Sequence, residues 1–276
     1  MIDTHVRHII KNALSEDIGT GDITSQLTIP AETQAQAQLV AREAMVVCGM
    51  QVAEEVYHQL DISIRVKPSA IDGQLVTAGD VLAEISGPAR ALLTGERVML
   101  NLMQRMSGVA TLTREYVEKV QGTKAIVLDT RKTMPGLRAI DKYAVYIGGG
   151  KNHRMRLDDM VLIKDNHIAL CGGIYEAVVK VRASTQLPIV VECDTIDQVK
   201  EALIAQPDRI LLDNMSLENL KEAVRLAKGK LPLEASGGIT LATIHGIAHT
   251  GVDFISVGAL THSTMSADIG LDVVTK

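Results

Sequence analysis

Apolar positions along this chain fall into two regimes, and the change comes near Gly122. Before it the spacing is mixed. Val6, Ile9, Ile10, Ala13 and Leu14 recur at helical intervals, with Asp3 or Thr4 placed to cap that helix. Residues 35–47 alternate in part and predict a strand, and Ile62-Ser63-Ile64-Arg65-Val66 alternates as a half-buried strand should. Asp72-Gly73 and Ala78-Gly79-Asp80 mark turns around another short strand. Residues 92–106 predict a helix carrying Arg97 and Arg105, interrupted at Ser107-Gly108 and resumed to about Val120.

After Gly122, six short apolar runs recur, at 125–128, 160–163, 189–191, 209–212, 231–233 and 254–257. From the third run onward helical segments separate them, for example 195–205, 216–227 and 241–249. Strand, helix, strand at this rhythm predicts parallel pairing with crossover helices, and runs apolar throughout suit strands buried on both faces. Each run ends on small or polar residues: Asp129-Thr130-Arg131-Lys132, Lys164-Asp165, Glu192, Asp213, Ser236-Gly237-Gly238 and Gly258-Ala259. In a β/α barrel that carboxyl end is the active face. An open sheet would also bind a ligand there, but only a barrel lets all six ends converge.

Composition narrows the chemistry. Aromatics are 2% of the 276 residues, with no Trp and one Phe, so the core is aliphatic and a stacking platform for single-stranded nucleic acid is excluded. A formal net charge of −5 argues against a nucleic-acid binder and leaves small anions held by a local cluster. Cys48, Cys171 and Cys193 form no CxxC pair, and an odd count suits reduced thiols in the cytoplasm. Residues 1–10 lack the apolar run of a secretory signal, and no stretch has the length for a membrane span.

The local cluster lies between Arg131 and Lys164, with Lys132, Arg138, Lys142, Lys151, Arg154, Arg156 and His153 among them. Arginine forks grip carboxylates and phosphates bidentately, and lysine supplies a compact charge. The competing reading is a solvated basic face, which the strand-end positions of Arg131, Lys132 and Lys164 disfavour; Arg138, Lys142 and Arg156 read as structural or peripheral. Glu192 and Asp213, at the ends of adjacent strands, suit sugar hydroxyls, a magnesium ion or a developing cation; each also suits a plain ion pair. Ser236-Gly237-Gly238 leaves a strand ahead of a helix expected at Thr240, and with Gly258-Ala259 it occupies the last two strand ends, where barrels often bind phosphate. Taken alone it is equally a turn. Gly148-Gly149-Gly150 reads as a flexible turn, and Cys193 as a buried inert thiol.

The stretch Asp129-Thr130-Arg131-Lys132-Thr133-Met134-Pro135-Gly136-Leu137-Arg138 resembles a hallmark of quinolinate phosphoribosyltransferases. The resemblance continues through Asn152-His153-Arg154, Leu162-Ile163-Lys164-Asp165-Asn166-His167, Val191-Glu192-Cys193, Leu212-Asp213-Asn214-Met215 and Glu234-Ala235-Ser236-Gly237-Gly238-Ile239. Glu16-Asp17-Ile18-Gly19, Gly21-Asp22-Ile23-Thr24 and Gly95-Glu96-Arg97 extend it over nearly the whole chain.

That resemblance implies an α/β fold: an N-terminal α/β sandwich domain, residues 1–106, and a C-terminal open seven-stranded β/α barrel, residues 107–276, whose last residues could return to the first domain. It implies transfer of a phosphoribosyl group from phosphoribosyl pyrophosphate to quinolinate with loss of CO2, giving nicotinate mononucleotide for NAD biosynthesis. It further implies a homodimer, or a hexamer of dimers, in which Arg97 reaches the partner's quinolinate. Arg131, His153 and Arg154 match positions around the dicarboxylate, Thr130 a substrate-binding position, and Lys132 and Lys164 those near the carboxylates and pyrophosphate. Glu192 and Asp213 match positions at the ribose and at Mg2+ held largely through substrate and water; Ser236, Gly237, Gly238, Val257, Gly258 and Ala259 match the 5′-phosphate site. Two alternatives stand beside this reading: a paralogue of the same fold from molybdenum-transport loci, and a non-catalytic anion-binding scaffold.

Overall fold

The computed structural model describes residues 2–274 and divides into two compact units, each discontinuous in sequence. Met1, Thr275 and Lys276, the outer limits of the two expected domains, lie outside the described residues. The first unit takes the chain through Arg114, then Met134–Gly149, then the described residues from Thr264 onward. The second holds Glu115–Thr133 and Gly150–Ser263.

In the first unit, helix Thr4–Ile18 starts where Asp3 accepts the Val6 amide at 2.8 Å, and it buries Val6, Ile10 and Leu14 on one face. Strands β1 (Gln34–Ala41), β2 (Met45–Val46), β3 (Arg65–Pro68), β4 (Leu75–Val76) and β5 (Val81–Pro88) follow. β1 pairs antiparallel with β5 and with the chain's last strand, Ile269–Val273, and β5 pairs with β3. The strand expected at 35–47 is therefore two pieces, parted at Arg42-Glu43-Ala44. The alternation at 62–66 starts too early: Ile62 is exposed, and pairing begins at Arg65.

The expected break at Ser107-Gly108 is absent. One helix runs unbroken from Ala89 to Lys119. Its small residues answer to packing. The Ser107 hydroxyl accepts from the Cys48 amide and donates to the Cys48 carbonyl, and a Cβ on Gly108 would collide with the Met265 carbonyl. Such contacts repay the helical cost of glycine, about 1 kcal/mol. Gly148 is likewise a close-packing position and not merely a turn, since a Cβ there would fall 2.5 Å from the Ala110 carbonyl.

The second unit is a parallel sheet of β6 (Ile126–Leu128), β7 (Val161–Ile163), β8 (Ile189–Cys193), β9 (Arg209–Asp213), β10 (Leu233–Ser236) and β11 (Phe254–Ser256), in the order β6-β11-β10-β9-β8-β7. Among the described residues β6 and β7 do not pair, so the barrel is open between them. On the free side of β6 a single parallel bridge joins Leu128 to Lys151. It occupies a seventh strand position with one residue, which is why only six apolar runs are legible. β10 lies later than its apolar run suggests, because Pro232 lacks an N–H and pairing starts at Leu233.

Crossovers close by local signals. Thr195 and Gln198 form a capping box ahead of Ile196–Ala205, and Ser216 caps Leu217–Ala227. Two further helices, Asp165–Cys171 and Ile174–Ser184, fill the interval between β7 and β8. The helix expected at 241–249 shrinks to Ile244–Ala248. The Thr243 hydroxyl accepts the Thr240 amide at 3.0 Å, a local turn that competes with helix over the preceding residues. No helix among the described residues is long and apolar enough to cross a membrane.

Candidate active site

All six strand ends of the second unit open on one cavity of about 700 Å³. Thr130, Arg131 and Lys132 enter from β6, Lys164 from β7, Glu192 from β8, Asp213 from β9, Ser236, Gly237 and Gly238 from β10, and Gly258 and Ala259 from β11. His153 and Arg154 line the same cavity. Sequence reasoning thus names residues that meet in space, with two exceptions. Val257 is 1% exposed, its amide bonded to the Leu128 carbonyl, and it does not face the cavity. Arg97 is exposed on the helix of the first unit.

The cationic wall is built around Asp129, fully buried at the end of β6. Its carboxylate accepts from the His153 amide at 2.8 Å and from Asn152 Nδ2 at 2.7 Å, fixing the segment that carries Arg154. Arg154 Nη1 donates to the Met160 carbonyl at 3.0 Å. Its guanidinium is held below its ordinary pKa, first by burial and then by the charge of Arg131. Two guanidiniums that repel one another at a cavity wall are relieved by an anion between them. Lys164 Nζ meets Glu192 Oε2 at 2.6 Å across β7 and β8. With the lysine 45% exposed, that pair contributes little to stability, about 0–1 kcal/mol, and mainly places both groups. The ion-pair reading of Glu192 is therefore realised, inside the cavity and not apart from it.

The opposite wall relies on backbone and small residues. Gly237 (φ 93) and Gly238 (φ 59) take left-handed conformations that turn the loop after β10. The expected helix dipole is missing here, because the helix starts only at Ile244 and has five residues. Anion binding at this loop must rest on its own N–H groups. Gly258 has an ordinary φ, but a Cβ there would come within 3.1 Å of both Lys132 Cδ and the His262 ring. Thr261 Oγ1 donates to the Lys132 carbonyl at 2.8 Å, tying the ends of β6 and β11 together.

Sequence reasoning missed Glu234, which also lines the cavity although its side chain is buried. The carboxylate meets Arg209 Nη1 at 2.8 Å and His153 Nε2 at 3.3 Å, and accepts from the Ser256 hydroxyl. Burial pushes its pKa up, but hydrogen bonds and charge from His153, Ser256 and Arg209 outweigh that and hold it below the usual range. A lone charge directly after the apolar run at 231–233 was the available signal. Asn214 and His262 carried none. Cys193 is buried, its thiol pushed up to about 12 by burial and neighbouring carboxylates, and all three cysteines are free. Arg156 pairs with Asp158 on the surface, and Lys142 is buried in the first unit, in keeping with structural roles.

No group of three His, Cys, Asp or Glu among the described residues is placed to hold a metal. Glu192 and Asp213 supply two hard oxygen donors to the cavity. That fits a magnesium ion coordinated mostly by water and phosphate oxygens and not a protein cage.

Comparison with known proteins finds two matching family models: the quinolinate phosphoribosyl transferase N-terminal domain over residues 22–107 and C-terminal domain over residues 109–272. A nicotinate-nucleotide pyrophosphorylase (carboxylating) of Mycobacterium leprae is 46% identical, covering 97% of this chain and 96% of its own. The chloroplastic nicotinate-nucleotide pyrophosphorylase (carboxylating) of Arabidopsis thaliana is 44% identical over 98% of this chain and 83% of its own. The solved nicotinate-nucleotide pyrophosphorylase of Francisella tularensis superposes with a TM-score of 0.95 at 42% identity, covering 99% of this chain and 98% of that one.

Proposed function

Because the chain belongs to the quinolinate phosphoribosyltransferase family, we infer that it is a carboxylating nicotinate-nucleotide pyrophosphorylase. It transfers phosphoribosyl from phosphoribosyl pyrophosphate to quinolinate, releasing pyrophosphate and CO2 and leaving nicotinate mononucleotide for NAD biosynthesis. The observation that carries this reading is the convergence of Arg131, Arg154 and Lys164 on the same cavity as the Glu192 and Asp213 carboxylates and two glycine-bearing strand ends. A doubly ionised aromatic acid and a phosphorylated pentose need those opposite chemistries side by side. Neither the molybdenum-locus paralogue nor the non-catalytic scaffold gains any observation in its favour.

In the mechanism, Arg131 and Arg154 grip the quinolinate carboxylates, with Thr130 and His153 beside them and Lys132 and Lys164 toward the pyrophosphate. The loop Ser236–Gly238 and the turn at Gly258-Ala259 hold the 5′-phosphate. The bond from C1′ to the pyrophosphate oxygen breaks as the quinolinate nitrogen bonds to C1′, and positive charge builds on the ribose ring. Asp213 and Glu192 orient the ribose hydroxyls and stabilise that charge. Loss of the 2-carboxylate as CO2 leaves an electron pair on the pyridine carbon, which takes up a proton. No covalent nucleophile is required; positioning and electrostatics supply the rate. Glu192 and Asp213 would hold a magnesium ion, which would offset the pyrophosphate charge.

The enzyme acts as a homodimer, with hexamers a further assembly, and Arg97 serves the partner's dicarboxylate site. Support is the exposure of Arg97, against the half-buried Arg105 on the same helix, whose guanidinium makes two 3.0 Å bonds to Asp141. Three unpaired cysteines support a cytoplasmic location. Purified protein given quinolinate, phosphoribosyl pyrophosphate and magnesium should produce nicotinate mononucleotide; no product under saturating substrates rejects the assignment. Mixing Arg97→Ala with Arg131→Ala protein should recover part of the activity, and well-mixed heterodimers without recovery exclude shared sites.

A further inference from the structure

Three non-glycine residues among those described have positive φ: Gln206 (54), Asn214 (52) and Lys228 (46). Gln206 and Lys228 end helices, where a left-handed residue is an ordinary stop. Asn214 ends no helix. It follows Asp213 at the carboxyl end of β9 and lines the cavity. Asparagine tolerates this conformation better than most side chains, but a backbone held there at a strand end is being used for something.

Its contacts show what. The Asn214 amide Nδ2 donates to Asp213 Oδ2 at 2.6 Å. Its backbone N–H donates to the Ser236 carbonyl at 2.9 Å, one step past the Asp213–Ser236 pairing of β9 and β10. Against it lies Gly237, where a Cβ would run into the Asn214 side-chain oxygen and stand 2.8 Å from the Asn214 backbone nitrogen. Gly237 is thus required twice, by its φ of 93 and by the asparagine pressed against it. One residue touches both the acid and the glycine loop.

We propose that Asn214 is a positioning residue for the phosphoribosyl substrate, clasping the Asp213 carboxylate and the loop Ser236–Gly238 at a fixed separation. The inference rests on the functional reading above, in which Asp213 meets the ribose hydroxyls and the loop meets the 5′-phosphate. These are two ends of one pentose phosphate, so the clasp sets the span that the substrate must fit. Quinolinate, gripped from the cationic wall, does not depend on it.

Asn214→Gly tests this in the full chain, because glycine keeps the left-handed backbone and removes only the amide. The KM for phosphoribosyl pyrophosphate should rise about tenfold, equivalent to about 1.4 kcal/mol, and kcat should fall. The quinolinate KM should stay within about twofold and the melting temperature should hold. Ribose 5-phosphate binding by calorimetry, which needs no turnover, should weaken by the same factor. If the residue served only the backbone turn, Asn214→Gly would match the parent in all of these, and that result overturns the proposal. An equal loss for quinolinate also overturns it. A parent protein that binds ribose 5-phosphate but turns over no quinolinate refutes the assigned reaction instead, and the calorimetric comparison still decides the role of Asn214. Should the glycine variant unfold, the near-isosteric Asn214→Asp, which loses the donor and sets a second carboxylate against Asp213, should weaken the phosphoribosyl substrate more strongly still and spare quinolinate, and an unchanged phosphoribosyl KM overturns the proposal.

Discussion

The two walls of the cavity present different chemistry to an anion. On the side of β6 and β7, whole charges do the work: Arg131 and Arg154 stand close enough for their charges to interact, and Lys164 reaches across to Glu192 at 2.6 Å. On the side of β10 and β11 the walls carry few charges, and glycines let backbone and neighbouring side chains come close. The difference teaches that, on the proposed function, one cavity would sort two anionic substrates by the chemistry of its walls. Flat carboxylates are gripped by forks, whereas a tetrahedral phosphate is wrapped by loops.

The strongest way to break this contrast is Arg131→Ala. Loss of one charge-assisted contact, about 1.5–3 kcal/mol, should weaken quinolinate about ten- to a hundredfold while leaving the phosphoribosyl pyrophosphate KM nearly unchanged. Steady-state kinetics with each substrate varied in turn checks it, and parallel losses in both would mean the walls do not act separately. Ser236→Leu should do the converse, raising the phosphoribosyl pyrophosphate KM by about tenfold through bulk at the loop, on the same affinity scale. A defect confined to quinolinate would reverse the assignment.

The smallest effect concerns the buried carboxylate on β10, Glu234. Glu234 has a lowered pKa when folded, so the stability it contributes is complete above the usual glutamate range of about 4.3. That contribution is lost as pH falls through the lower folded value. Glu234→Gln should therefore flatten the acid side of the stability-against-pH curve without changing its slope near neutrality. Denaturant melts across the acid range measure this, and an unaltered acid limb would show that His153, Ser256 and Arg209 do not hold the group ionised.

What could be read from the chain tracks the range of the interactions responsible. Asp3 capping the first helix, the helix after β8 and the apolar strand runs are local, and each is close to where the residue pattern places it, β10 apart. The strand-end rule found both acids and the cationic side chains for the same reason. Ser107-Gly108 misled because the partners that make small residues necessary, Cys48 and Met265, lie far away in sequence. Glu234 escaped notice because its partners come from three separate places, Arg209, His153 and Ser256, and none announces itself beside it. Asn214 was visible only as a letter in a motif until its φ and its two hydrogen bonds were known.

The way the first unit borrows from the end of the chain bears on how the protein is made. Ala37 in β1 faces Val273 across a strand pair, and Arg105 is satisfied by Asp141, which belongs to a stretch inserted between β6 and β7. A ribosome delivers β1 before the barrel strands and its outer neighbour after them, so the sheet of the first unit must wait with one edge uncovered while the barrel strands emerge. Translation arrested before Ile269 should leave that edge open to chaperones, and a gene cut at the boundary between the two family domains should yield halves that are each missing an internal support.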